Sequence, residues 1–184
     1  MPDRHTLQET EKAMHDHVAR LPLDFPAAHA LSSLYRAANA VRNHITNLVL
    51  REHDLTWTGF VVLWVVWIWD GMETRHVAES AAISKATLTG VVRTLETRGW
   101  ITRTTDAQDR RLVRLQLTED GVALMEKLYP EFNAVESEIM SGMSARNVSD
   151  LTRNLRSIVT AIEEPAGEAA PAAETMARKP NRDA

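Results

Sequence analysis

Residues 109–111 read Asp-Arg-Arg and head the stretch "DRRLVRLQLTEDG", in which apolar and polar residues begin to alternate. Arg110 and Arg111 carry planar forks of N–H donors, suited to bidentate pairing with phosphate or carboxylate oxygens. Asp109 beside them could hold one fork in place before a partner arrives. Upstream, Ser84, Lys85, Thr87, Thr89 and Arg93 combine hydroxyls and cations on a segment with helical spacing, a set that can address polar edges and phosphates alike. From Ser84 to Arg114 there are seven cations (Lys85, Arg93, Arg98, Arg103, Arg110, Arg111, Arg114) against three anions (Glu96, Asp106, Asp109). That segment is +4 in a chain of net charge −4, which leaves −8 for the remainder. A basic island in an acidic body grips polyanions locally and discourages indiscriminate contact elsewhere.

These residues need elements to hold them. Ser84 is a good helix N-cap, and Ile83 and Leu88 occupy the two positions of a hydrophobic staple, so a helix is predicted over about 84–98, stopped by Gly99. A shorter helix over about 74–82 precedes it. Beyond Gly99 the period changes to two: Val113, Leu115 and Leu117 alternate with Arg114 and Gln116, and "WITRT" is the expected partner strand of a two-stranded ribbon with a polar tip. A short helix, a turn, a capped helix and a hairpin make a winged helix-turn-helix. Its second helix fits the DNA major groove, and an arginine at the hairpin tip can enter the minor groove. Gly90 is unexpected inside such a helix, costing about 1 kcal/mol against alanine. A smooth surface that lets the helix approach DNA closely would explain it.

Helices flank this unit. Leu7, Met14, Val18 and Leu21 share helical spacing ahead of Pro22 and Pro26. Leu31, Leu34, Ala38, Val41, Ile45 and Leu48 form a seam of the coiled-coil kind. The segment from about Thr56 to Trp69 is apolar nearly all round and should be buried. After "LTEDG", Leu124, Leu128, Phe132, Val135 and Ile139 form one stripe, and Leu151, Leu155, Ile158 and Ile162 another. The small middle unit cannot cover all of these stripes, and their simplest partner is a second copy of the chain. The expected architecture is therefore mainly α with a small β-hairpin wing. N-terminal dimerisation helices (1–54) and C-terminal ones (119–164) flank the DNA-binding winged helix-turn-helix (55–118), and residues 165–184 are too poor in apolar content to pack and read as a flexible tail.

"LTWTGF", "HVAESAAISKATLTGVVRTLETRGWITR" and "DAQDRRLVRLQLTEDG" together resemble the multiple-antibiotic-resistance regulator (MarR) family, in order and spacing, from about Leu31 to Ile162. The resemblance implies an obligate homodimer that binds double-stranded DNA at pseudo-palindromic operators. It places the family's wing arginine on Arg111 and its wing aspartate on Asp109. Gln108 departs from the pattern, since many members carry a basic residue there. Repression released by a small, often aromatic and anionic, molecule is the family habit.

Composition narrows the switch. Without cysteine, thiol oxidation is excluded. His15 and His17 are the closest histidine pair, and no histidine follows His76, so no metal site is expected. A small organic effector remains. Trp57, Phe60, Trp64 and Trp67 fall on one helical face, which reads either as core or as the wall of a binding box. Ser33, Arg36, His44 and His53 on the preceding segment are polar groups that either face such a box or sit in solvent. An arginine or histidine beside indoles suits an aromatic carboxylate.

Other classes find less support. There is no nucleophile–base pair, phosphate loop or ligand cluster for an enzyme, and no cofactor is expected. The longest apolar run, Phe60 to Trp69, has 10 residues, half of the roughly 20 that span a bilayer. The N-terminus lacks a signal-peptide core, so a cytoplasmic place is expected. The alternative is a winged helix used for protein contacts, such as an anti-repressor, which the basic island disfavours.

Overall fold

In the computed structural model, which describes residues 6–18, 21–105 and 112–163, the chain runs through α1 (Leu7–Val18), α2 (Phe25–Leu48), a 3-10 turn (Leu50–His53), α3 (Trp57–Trp69), β1 (Met72–Glu73), α4 (Thr74–Ser80), α5 (Lys85–Thr97), β2 (Ile101–Thr105), β3 (Val113–Leu117), α6 (Glu119–Met140) and α7 (Ala145–Glu163). It divides between Ile139 and Met140 into two compact units. The mainly helical winged-helix architecture expected from the pattern is what forms. Among the described residues no helix is long and apolar enough to cross a membrane.

Local chemistry sets the helix boundaries. The Thr6 N–H donates to Glu9 Oε2 (2.6 Å) while the Glu9 N–H donates to Thr6 Oγ1 (3.2 Å), a reciprocal capping box at the start of α1. The bond from the Thr6 backbone, then that from its hydroxyl, holds the Glu9 carboxyl below its ordinary range. Asp24 accepts from Ala27 N (3.0 Å) to open α2, whose Pro26 sits in the first turn where no N–H is needed. Thr56 accepts from Gly59 N (3.0 Å) to open α3. Leu21 lies beyond the end of α1 rather than on it.

The core of the first unit forms around α3. Phe60, Val62, Leu63, Val65 and Val66 are buried with Ile45 and Val49, with Leu88, Val92 and Leu95 of α5, with Leu115 of β3, and with Met125, Leu128 and Phe132 of α6. The Phe60 and Phe132 rings stack at 4.3 Å. The burial expected for the whole of α3 stops short of its last turn, where Ile68 and Trp69 are exposed. Within the second unit, α7 has no buried residue, although Leu151 and Ile158 of its stripe are half-covered.

The ribbon has a third strand. β2 and β3 pair antiparallel with Arg103 opposite Leu115, but β1 also pairs with β3, Met72 opposite Leu115 and Glu73 opposite Arg114, giving the order β1-β3-β2. Two residues are too few for an alternating pattern, so "DGME" reads in the sequence only as a helix stop. Gly71 there has φ +76, where a side chain is strained.

The sheet hands over to α6 through a close approach. Thr118 N–H donates to Trp100 O (3.1 Å), and Thr118 Oγ1 accepts from Gly121 N (3.0 Å). A Cβ at Gly121 would lie 2.1 Å from the Trp100 carbonyl oxygen, a backbone atom that cannot swing aside. Gly121→Ala is therefore expected to lower stability by ~2 kcal/mol or more. Chemical denaturation checks this, and an unchanged midpoint would show that α6 can shift without cost.

Candidate nucleic-acid interface

α5 owes its orientation to its apolar side. Leu88, Val92 and Leu95 are 3%, 1% and 2% exposed, so the helix cannot roll without uncovering them. Ser84 caps it as expected, its Oγ accepting from Thr87 N (3.0 Å) and lying 2.8 Å from Thr87 Oγ1. Ile83, the other half of the staple, is half-buried.

The opposite side holds the residues singled out in the sequence. Ser84, Lys85, Thr87, Thr89 and Arg93 are all exposed. At 3.6 residues per turn, Ala86, Gly90, Arg93 and Thr97 form the outermost line, with Lys85 and Thr89 beside it toward the sheet. Nothing lies within 4 Å of a Cβ built at Gly90. No packing among the described residues requires that glycine. Thr89 Oγ1 donates to Lys85 O (2.9 Å) and Thr97 Oγ1 to Arg93 O (2.9 Å), so these hydroxyls turn lone pairs and methyl groups outward.

The basic island is less free than its count suggests. Arg98 donates to Asp54 O (2.8 Å) and lies 4.0 Å from the Trp100 ring centroid, tying the end of α5 to the turn before α3. Arg103 Nε pairs with Glu96 Oε2 at 3.0 Å, joining β2 to α5. Arg114 donates to Gly71 O (3.1 Å), fixing β3 to the β1 segment. Among the described residues of the island, Lys85 and Arg93 alone have no ion pair or hydrogen-bonded side-chain partner. Asp109, Arg110 and Arg111 lie outside the described residues.

Between α5 and the sheet is a cleft of about 410 Å³ with Leu88 and Val92 in its floor and Lys85, Thr89, Thr74, Arg75 and Arg103 around it. Arg75 is a residue that the sequence reading missed. It stands alone between Glu73 and Glu79, outside the window in which cations cluster, and only the docking of α4 beside β1 carries it to α5.

The effector candidates are spread over two helices. Trp57 is half-buried, 6.2 Å from Phe60 and 6.0 Å from Phe132 between ring centroids, and Trp67 meets Tyr129 at 5.6 Å. Trp64 is half-buried against the core. Ser33 is half-buried on α2, whereas Arg36 and His44 are exposed. No hydrogen bond or ring contact joins Ser33, Arg36 or His44 to these tryptophans among the described residues. His53 Nε2 lies 3.4 Å from Glu131 Oε2 of α6.

Known proteins share this arrangement. The MarR family model matches residues 55–113. The chain is 35% identical over 164 residues to the HTH-type transcriptional regulator YwaE of Bacillus subtilis, covering 86% of this chain and 96% of that protein. SarZ of Staphylococcus aureus, also an HTH-type transcriptional regulator, is 29% identical over 133 residues, 68% of this chain and 83% of that protein. Among solved structures, BpsR of Bordetella bronchiseptica, whose DNA binding is regulated by 6-hydroxynicotinic acid, aligns with a TM-score of 0.64 at 27% identity over 71% of this chain and 98% of that one. The Staphylococcus aureus MepR–DNA complex aligns with a TM-score of 0.65 at 24% identity over 71% and 96%. With a relative this similar over nearly the whole of both chains, and with the family model on the helix-turn-helix and β2, the chain belongs to the MarR family of transcriptional regulators.

Proposed function

We propose that the protein is a homodimeric, sequence-specific DNA-binding repressor that a small aromatic acid releases from its operator. The observation that carries DNA binding is α5, with its apolar side locked and Lys85, Thr87, Thr89, Gly90 and Arg93 turned outward on a surface with two unpaired cations. In this reading Lys85 and Arg93 contact phosphates and base edges, and Asp109, Arg110 and Arg111 belong to the DNA-binding set. Residues 55–118 are the DNA-binding unit.

Apolar surface left exposed among the described residues supports dimerisation. On α2, Leu31, Tyr35 and Leu48 are 44%, 69% and 49% exposed, and on α7 Val159 and Ile162 are 51% and 74% exposed. Amphipathic faces of this size normally meet a second surface. We assign that role to residues 1–54 and 119–164 of a second copy. Two α5 helices would then address half-sites about 10 bp apart. For the effector, Ser33, Arg36, His44, Trp57 and Trp64 are the candidate contacts, and regulation of BpsR by an aromatic carboxylate supports this ligand class.

A gel shift with the DNA flanking its own gene, with and without a panel of aromatic acids, tests binding and release together. Arg111→Ala should weaken that binding and reduce discrimination at AT-rich flanks; equal affinity would remove Arg111 from the minor groove. Gly90→Ala should raise stability by about 0.5–1 kcal/mol in denaturant titrations yet weaken the same gel shift, and unimpaired binding would break the link between the missing Cβ and close approach. The double variant Leu155→Asp/Ile162→Asp should sediment as a monomer and lose the gel shift. Retention of the dimer would move the interface away from α7.

A further inference from the structure

The cleft beside α5 holds a cation that lies outside the basic island in sequence. Arg75 is 63% exposed at its side chain, and its nearest carboxylate oxygen, Glu73 Oε2, is 3.9 Å from Nε. A pair so long and so exposed contributes at most about 1 kcal/mol and is given up easily. The same Nε donates to His76 Nε2 at 3.1 Å, which fixes the guanidinium by one nitrogen. Its two Nη groups, the end that pairs side by side with two oxygens of one phosphate, have no partner among the described residues. Arg103, in the same cleft, is by contrast held at 3.0 Å by Glu96. Lys85 faces this space from the first turn of α5, and Thr74 and Thr89 add hydroxyls to its walls. The floor is made by Leu88 and Val92, so charges at the rim are poorly screened from below.

We propose that Arg75, with Lys85 across the cleft, seats one backbone phosphate of bound duplex DNA between the recognition helix and the wing. The contact reads no base. It adds affinity and register to every duplex the protein meets, specific or not. The proposal rests on the DNA-binding reading above, and its own content is that the first helix of the helix-turn-helix motif supplies a charge the sequence places outside the basic island.

The test is the salt dependence of binding to operator and to unrelated duplex. Arg75→Ala should weaken both by a similar factor, roughly three- to tenfold, and reduce the slope of log K against log salt by about one. Arg75→Lys, which keeps the charge, should keep the slope; a fall as complete as in Arg75→Ala would overturn the proposal by making the effect independent of charge. If the unaltered protein binds duplex and Arg75→Ala leaves affinity and slope unchanged, the phosphate seat fails while the DNA-binding reading stands. If the unaltered protein binds no duplex, both fall together. Inorganic phosphate, titrated alone at constant ionic strength, should show no saturable Arg75-dependent binding. Saturation there would assign the cleft to a free anion and overturn the duplex assignment.

Discussion

The face that α5 presents depends on the burial of its other side. Leu88, Val92 and Leu95 are almost wholly covered, each contributing about 2 kcal/mol of burial. That commitment leaves the presented face exposed, with polar residues whose hydrogen bonds stay within the helix and its cap. Two ion pairs then hold the C-terminal end of the helix, Arg98 with Asp54 of the turn before α3 and Glu96 with Arg103 of β2. Exposed pairs of this kind add little stability, and their value here is geometric. They set where the sheet and the turn before α3 lie relative to the face that α5 presents.

Much of this was legible in the residues. Ser84 and the Ile83–Leu88 staple predicted the start of α5 because a cap reaches a backbone N–H three residues on and a staple spans five, information that is local in sequence. The period of two in Val113, Leu115 and Leu117 predicted β3 for the same reason. The stripe from Leu124 to Ile139 predicted α6 correctly through Pro130, which is exposed and costs the helix one hydrogen bond without ending it. Gly121 was visible as part of a turn signal, but its reason was not. The glycine answers to the Trp100 carbonyl, a contact between elements that no local pattern encodes.

What escaped the sequence has the same character. β1 is two residues long and exists through pairing with β3, so its signal lies in the partner. A charge count along the island says nothing of partners, whereas Arg98, Arg103 and Arg114 each find a carbonyl or carboxylate that only the fold brings near. Arg75 shows the converse. No neighbour in sequence marks it, yet the packing of α4 beside the sheet delivers it to the cleft. Counting charges along a chain therefore misjudges a binding surface in both directions.

The division of arginines into held and free also bears on how such a surface could discriminate. A guanidinium fixed by internal partners, as in Arg98 and Arg103, cannot rearrange toward a polyanion without losing those bonds. Lys85 and Arg93 have nothing to give up and can follow whatever phosphate or base edge is offered. Between them the outermost line of α5 is low, with Ala86 and Gly90 exposing backbone where a longer side chain would hold a partner at a distance. Exposed cations without internal partners beside a shallow strip favour a partner whose surface is convex and regularly charged along its edge. The rim of a nucleic-acid groove has that form; a flat acidic protein face does not.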